Sequence, residues 1–286
     1  MRKIIVDSGV GLPGDFVKKY NIEIVPVNLF SENGEDFSEK SYEEILYFMK
    51  KGKILRPSGI STERLIKTYR KYKDREIISI HIGSTISGIT QTANLVAKKL
   101  KEENINVHVI DTLNAGPAAG IPIFKNIEKI LDESISPLQI EKEIQDVSYK
   151  VEMFFTIRET KRLLRVRPVE GLKKIIKNPG MIIKYITMRG GKPLISLKLG
   201  KFKTVGFVKE EVEGLIDFLM KNYLKRKDKV IAFTFGCERE KDEEKIIEFF
   251  RENFEGEFHK IPPLPLWAAC AGIGFLGVAF YKEHES

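Results

Sequence analysis

The amino-acid sequence predicts an α/β protein of two domains, an N-terminal one on a largely parallel sheet flanked by helices and a C-terminal one on a mixed sheet. Three observations predict it. In the first half, short β-branched runs that are apolar throughout alternate with longer segments of helical periodicity, the pattern of parallel strands covered on both faces. Past residue 150, two strand-like segments are joined across Gly200, which implies antiparallel pairing. The chain has 286 residues, 42% hydrophobic and 31% charged, enough length for two cores and the composition of a globular protein. The boundary falls near residue 150, giving domains 1–150 and 151–286.

Taken in order, strands are expected at residues 3–7, 23–30, 76–83 and 106–111, rich in Ile and Val. Ser41 with Glu44 forms a capping box, because the hydroxyl can accept from the third amide while the carboxylate reaches back; a helix to about residue 51 follows. Ser61 opens the next helix, with Leu65, Ile66, Tyr69 and Tyr72 at helical spacing. Ser136-Pro137 starts another, with Pro at its first position and Ile140, Ile144 and Val147 on its apolar face. In the second half, a strand at 151–156 leads to a hairpin of 192–199 and 201–208. A helix over 209–224, a strand over 229–235 and a charged helix over 238–254 complete the pattern.

The formal charge is +8, and its distribution matters more than its size. From Arg158 to Lys203 there are 14 Lys or Arg against Glu159 and Glu170, a net +12 that leaves −4 elsewhere. Such a face suits an acidic partner or transient contact with an anionic membrane surface. No helix-turn-helix, zinc-finger or aromatic RNP pattern accompanies it, so nucleic acid is not the expected partner. Apolar runs are far shorter than the roughly 20 residues that cross a bilayer. The N-terminus runs straight into a strand without a leader pattern, and Cys237 and Cys270 form neither a metal motif nor a disulfide framework. A cytoplasmic setting is expected.

Loops rich in Gly, Pro and hydroxyl side chains fall where strands end: Asp7-Ser8-Gly9-Val10-Gly11-Leu12-Pro13, Arg56-Pro57-Ser58-Gly59-Ile60-Ser61 and Gly83-Ser84-Thr85-Ile86-Ser87-Gly88. In open α/β sheets ligands bind at the carboxyl ends of strands. Ser87-Gly88 precedes a helix, whose first amides and positive dipole end favour an anion. Ser58 and Ser61 offer further hydroxyls, although Ser61 equally serves as a helix cap.

These segments resemble the DegV family. VDSGVGLP, PSGIS, STISGITQTA, IDTLNAGPAAG and GIGFLGVAF stand in the family's order and span nearly the whole chain. The resemblance implies a two-domain α/β protein that binds a long-chain fatty acid without a further cofactor or metal. It also implies service as the fatty-acid-binding subunit of a bacterial fatty acid kinase, with no catalytic residue of its own. By the same resemblance Ser58, Ser87, Gly88 and Cys270 hold the carboxylate, and Arg165 or Arg167 meets the partner or phosphate.

Three departures bear on the head group. Pro57 stands where the family has Thr, removing a hydroxyl and an amide hydrogen. Cys270 stands where the family has His, and Leu164-Arg165-Val166-Arg167-Pro168 lacks the family's glycine pair. A buried tail would still carry the affinity, since each methylene contributes about 0.8 kcal/mol. Eleven apolar residues are candidate walls: Ile121, Ile123, Phe124, Ile127, Leu264, Leu266, Trp267, Ile273, Phe275, Leu276 and Phe280. The competing readings are a serine-dependent acyl hydrolase and an anion-binding regulatory protein. A hydrolase wants a GxSxG elbow with a supporting His; there is no such elbow, and His81 near Ser87 reads as a strand residue.

Overall fold

The computed structural model describes residues 2–159 and 191–283. Its first sheet is parallel and four-stranded, in the order β2 (Glu23–Val25), β1 (Lys3–Asp7), β5 (Ile77–His81), β6 (Val107–Asp111). The central strands β1 and β5 are buried along their whole length, which is why Ile and Val dominate β1 and Ile dominates β5. The expected strand at 23–30 is broken: β2 ends at Val25 and β3 (Leu29–Ser31) pairs instead with β4 (Leu55–Pro57) in a separate two-stranded sheet. Pro26 lies at the break, and proline cannot donate to a ladder.

The helices of this half are α1 (Gly14–Lys19), α2 (Tyr42–Lys50), α3 (Thr62–Lys71), α4 (Ile89–Leu100), α5 (Pro117–Lys125), α6 (Ile127–Leu131) and α7 (Pro137–Ser148). The Ser41–Glu44 capping box is present, and Ser61 and Ser136 cap α3 and α7 through their side chains. The apolar α5 is almost wholly buried. A Cβ added at Gly120 would lie 1.8 Å from the Gly11 carbonyl oxygen, so only glycine lets α5 run flush against the loop that follows β1.

The second sheet is mixed and six-stranded, in the order β11 (Glu255–Lys260), β10 (Lys229–Gly236), β12 (Leu276–Glu283), β7 (Glu152–Thr156), β8 (Lys192–Lys198), β9 (Lys201–Val208). β11 runs parallel to β10 and every other pair is antiparallel. Leu199 (φ 49°) and Gly200 (φ 74°) turn the β8–β9 hairpin with positive φ at both positions, the twist that suits a two-residue hairpin. α8 (Glu211–Asn222) and α9 (Glu240–Asn253) begin two residues later than the sequence suggests. α10 (Pro265–Ala271) precedes β12. One continuous core joins the first sheet through α5 to Phe233 and Phe235 of the second, and a smaller one lies beneath α8 and α9.

Candidate functional site

A cleft of about 770 Å³, counting the part open to solvent, lies where the first sheet's strand ends meet α10 and β9. Its walls are mostly apolar: Val27, Pro57, Ile82, Ile86, Ile89, Phe202, Leu266 and Trp267, with Gly9, Gly59, Ala115 and Ala271 between them. Each arrives for a structural reason. Gly9 and Ile82 follow β1 and β5, the Trp267 ring stands edge-on to Phe155 and Phe235, and the β8–β9 hairpin delivers Phe202. The hairpin is seated by Leu199 N–H donating to Asn114 Oδ1 at 2.8 Å.

Two of the expected head-group residues, Ser87 and Cys270, line this one cleft from opposite halves of the chain. Ser87 is half-buried, and its hydroxyl makes no hydrogen bond to the described residues. Gly88 is the N-cap of α4, which starts without a side-chain cap, unlike α2, α3 and α7. The space in front of Gly88 is open, with nothing within 4 Å of an added Cβ. A hydroxyl without a partner among the described residues, beside a helix start with no side-chain cap, is an arrangement that can receive an anion. Ser58 is exposed and its amide donates to Asn28 O, while its neighbours Pro57 and Gly59 line the cleft. Arg165 and Arg167 lie outside the described residues. Among the described residues no group of three or more His, Cys, Asp or Glu could hold a metal, and no helix is long and apolar enough to cross a membrane.

Beneath the cleft runs a buried polar chain that sequence reasoning left without a role. Asp7 Oδ1 accepts from Gly9 N–H at 2.8 Å and Oδ2 from Ile82 N–H at 2.9 Å. His81 Nδ1 lies 3.1 Å from Asp7 Oδ2, and its Nε2 lies 2.8 Å from Ser79 Oγ, which in turn meets the Tyr69 hydroxyl at 2.8 Å. Burial pushes the Tyr69 phenol well above its ordinary value. Ser79, His81 and Asp7 have the composition of a hydrolytic triad, yet all three are fully buried and both imidazole nitrogens are engaged. His81 therefore has no nitrogen left to activate Ser87.

The turn after α10 is held by a second network. Arg239 donates to Gly274 O at 3.0 Å and to Glu211 at 2.5 Å, and Glu159 accepts from Ile273 N–H at 2.9 Å. Glu211 also meets Arg158 at 3.1 Å and Lys192 at 2.6 Å. Burial alone would raise the Glu211 carboxyl, but bonds from Lys192 and Arg239 and the Arg239 charge outweigh it and bring it to about 2.

Of the eleven wall candidates, only Leu266 and Trp267 line the cleft. Ile121, Ile123, Phe275, Leu276 and Phe280 are buried core. Phe124 and Ile127 line a separate surface pocket with Phe16, Tyr20 and His259. Val27, Ile82, Ile86, Ile89 and Phe202 replace them as walls. Their signal was positional, since all but Phe202 sit in or beside the strand-end loops.

Comparison with known proteins places the fold and the sequence in one family. Over 128 residues the chain is 34% identical to a fatty acid-binding protein of Thermotoga maritima, a match that covers 42% of this chain and 43% of that protein. A DegV lipid-binding protein of Thermotoga maritima superposes with a TM-score of 0.81 at 22% identity, over 100% of this chain and 99% of that one. A stearic acid-binding protein of Eubacterium ventriosum superposes with a TM-score of 0.79 at 15% identity, over 99% and 98% of the two chains. The sequence profile of the DegV family, described as one of uncharacterised proteins, matches residues 1–283. With its motifs in order and its fold shared from end to end, the chain belongs to the DegV family.

Proposed function

We propose that this protein binds one long-chain fatty acid, with the tail in the apolar cleft and the carboxylate at Ser87 and the start of α4. The observation that carries the reading is a largely apolar cleft whose rim holds a hydroxyl unpaired among the described residues and a helix N-terminus without a side-chain cap. The chemistry is matched to an amphiphile with one terminal anion. About 14 methylenes would contribute roughly 11 kcal/mol before association costs, so few polar contacts are needed. Relatives described as binding fatty acids, stearic acid among them, support the ligand class.

The bound carboxylate is presented to a partner kinase, with Arg165 or Arg167 of the basic stretch at the contact. Pro57 and Cys270 leave the head group fewer strong donors than the family pattern supplies, so Ser87 and the α4 amides carry most of its recognition. Lipid extracted from protein purified out of its host and analysed by mass spectrometry should contain a long-chain fatty acid near one per chain. A preparation free of fatty acid that also fails to take one up would refute the reading, and turnover of an activated ester would favour the acyl hydrolase.

A further inference from the structure

We infer that Asp7 is a positioning residue of the fatty acid site, acting through the root of the loop that carries Ser87; this rests on the head-group reading above. The carboxylate occupies a junction. One oxygen holds the amide of Gly9 and the other the amide of Ile82, and both of those residues are in the cleft wall. Asp7 thereby ties together the loops leaving β1 and β5. The Ile82 carbonyl is fixed as well, because Thr90 Oγ1 of α4 donates to it at 3.1 Å. The loop root is thus clamped on both sides of one residue.

From there the path to Ser87 is short and rigid. Gly83 N–H donates to Asn114 O at 2.7 Å, and the amides of Ile86 and Ser87 both donate to Gly83 O, at 2.8 and 3.1 Å. A Cβ on Gly83 would lie 2.7 Å from the Leu113 carbonyl carbon, so the turn has no room to shift towards that strand end. Asp7 in turn cannot rotate away, since His81 holds Oδ2 and is itself backed by Ser79 and Tyr69. A buried carboxylate with each oxygen committed to a backbone amide has no equivalent in asparagine. The amide presents one acceptor and turns an N–H towards the second donor. Placement of the Ser87 hydroxyl and of the first α4 amides is what such a clamp controls, and positioning errors near 1 Å are costly in sites of this kind.

The test is a double-mutant cycle of Asp7→Asn and Ser87→Ala, read as affinity for oleate and for oleyl alcohol by competition with a fluorescent lipid. Asp7→Asn should weaken oleate by about tenfold and oleyl alcohol by about threefold or less, and the oleate loss should shrink to about threefold or less when Ser87 is already alanine. A purely structural role would weaken both ligands alike and would add to Ser87→Ala. Equal losses in the two backgrounds, or no loss at all, overturn the inference while leaving the head-group reading intact. An inert Ser87→Ala overturns both. Should Asp7→Asn fail to fold, Thr90→Val removes only the bond to Ile82 O, and the same cycle with it should give the same non-additivity at smaller amplitude.

Discussion

Glu243→Gln will stabilise the protein at pH 8 by about 3 kcal/mol and leave its stability near pH 4 almost unchanged. Glu243 lies in the first turn of α9, is 3% exposed, and its Oε2 has no hydrogen-bond partner among the described residues. Burial raises its pKa from 4.5 to about 7, against the attraction of Lys260 and Arg239 and with the repulsion of Glu240 and Asp242. Because the folded state holds this proton more tightly than the unfolded chain does, stability is greatest below pH 4.5 and falls as pH rises through 7. The amide keeps the shape and cannot ionise, so the loss disappears. Urea unfolding of parent and variant at the two pH values measures it, and a difference independent of pH would contradict the assignment.

Glu211→Gln should do the reverse, costing about 3 kcal/mol at neutral pH and progressively less as pH falls from 4.5 towards 2. Here the folded pKa is about 2, so the stabilisation is present above the unfolded value of 4.5 and is lost on acidification. Removing one member of a buried ion pair typically costs 3–5 kcal/mol. The lower end applies because Arg158 and Lys192, at 49% and 34% exposure, can turn to water, whereas Arg239, at 7%, keeps Asp242 and Gly274 O among the described residues. Loss of that hold loosens the turn after α10, next to Cys270 in the cleft. Unfolding curves of the variant across pH 3 to 7 should be flatter than the parent's; a parallel pair of curves would show that the charge of Glu211 is not what stabilises.

The parts of the fold legible in the sequence are those governed by local rules. The capping box at Ser41, the Ser61 and Ser136 caps, the buried strands β1 and β5 and the hairpin at Gly200 follow from neighbouring residues alone. Edge strand β11 was missed because it is mostly exposed and polar, Glu-Gly-Glu-Phe-His-Lys, with no apolar run to mark it. α10 is short and apolar on nearly all sides, so no period distinguishes it from a strand. The position of Ser87 and Gly88 at a helix start beside the cleft was readable because a strand-end loop, a glycine and a helical pattern follow one another there. Phe202 and the clamp at Asp7 were not, since both depend on elements far apart in the chain: Phe202 comes from a hairpin, and Asp7 meets His81 and Ile82 some seventy residues away.

The central claim is that a fatty acid carboxylate is held at Ser87 and the start of α4, where each charged hydrogen bond is worth roughly 1.5 to 3 kcal/mol. Competition of oleate and oleyl alcohol for the parent protein at fixed salt tests it most directly, because the two share a tail and differ in the anion. Oleate should bind at least about tenfold more tightly than the alcohol, and Ser87→Ala should remove most of that difference by weakening oleate alone. Equal affinity of the two in the parent would contradict the carboxylate site, even if the cleft takes up the acyl chain.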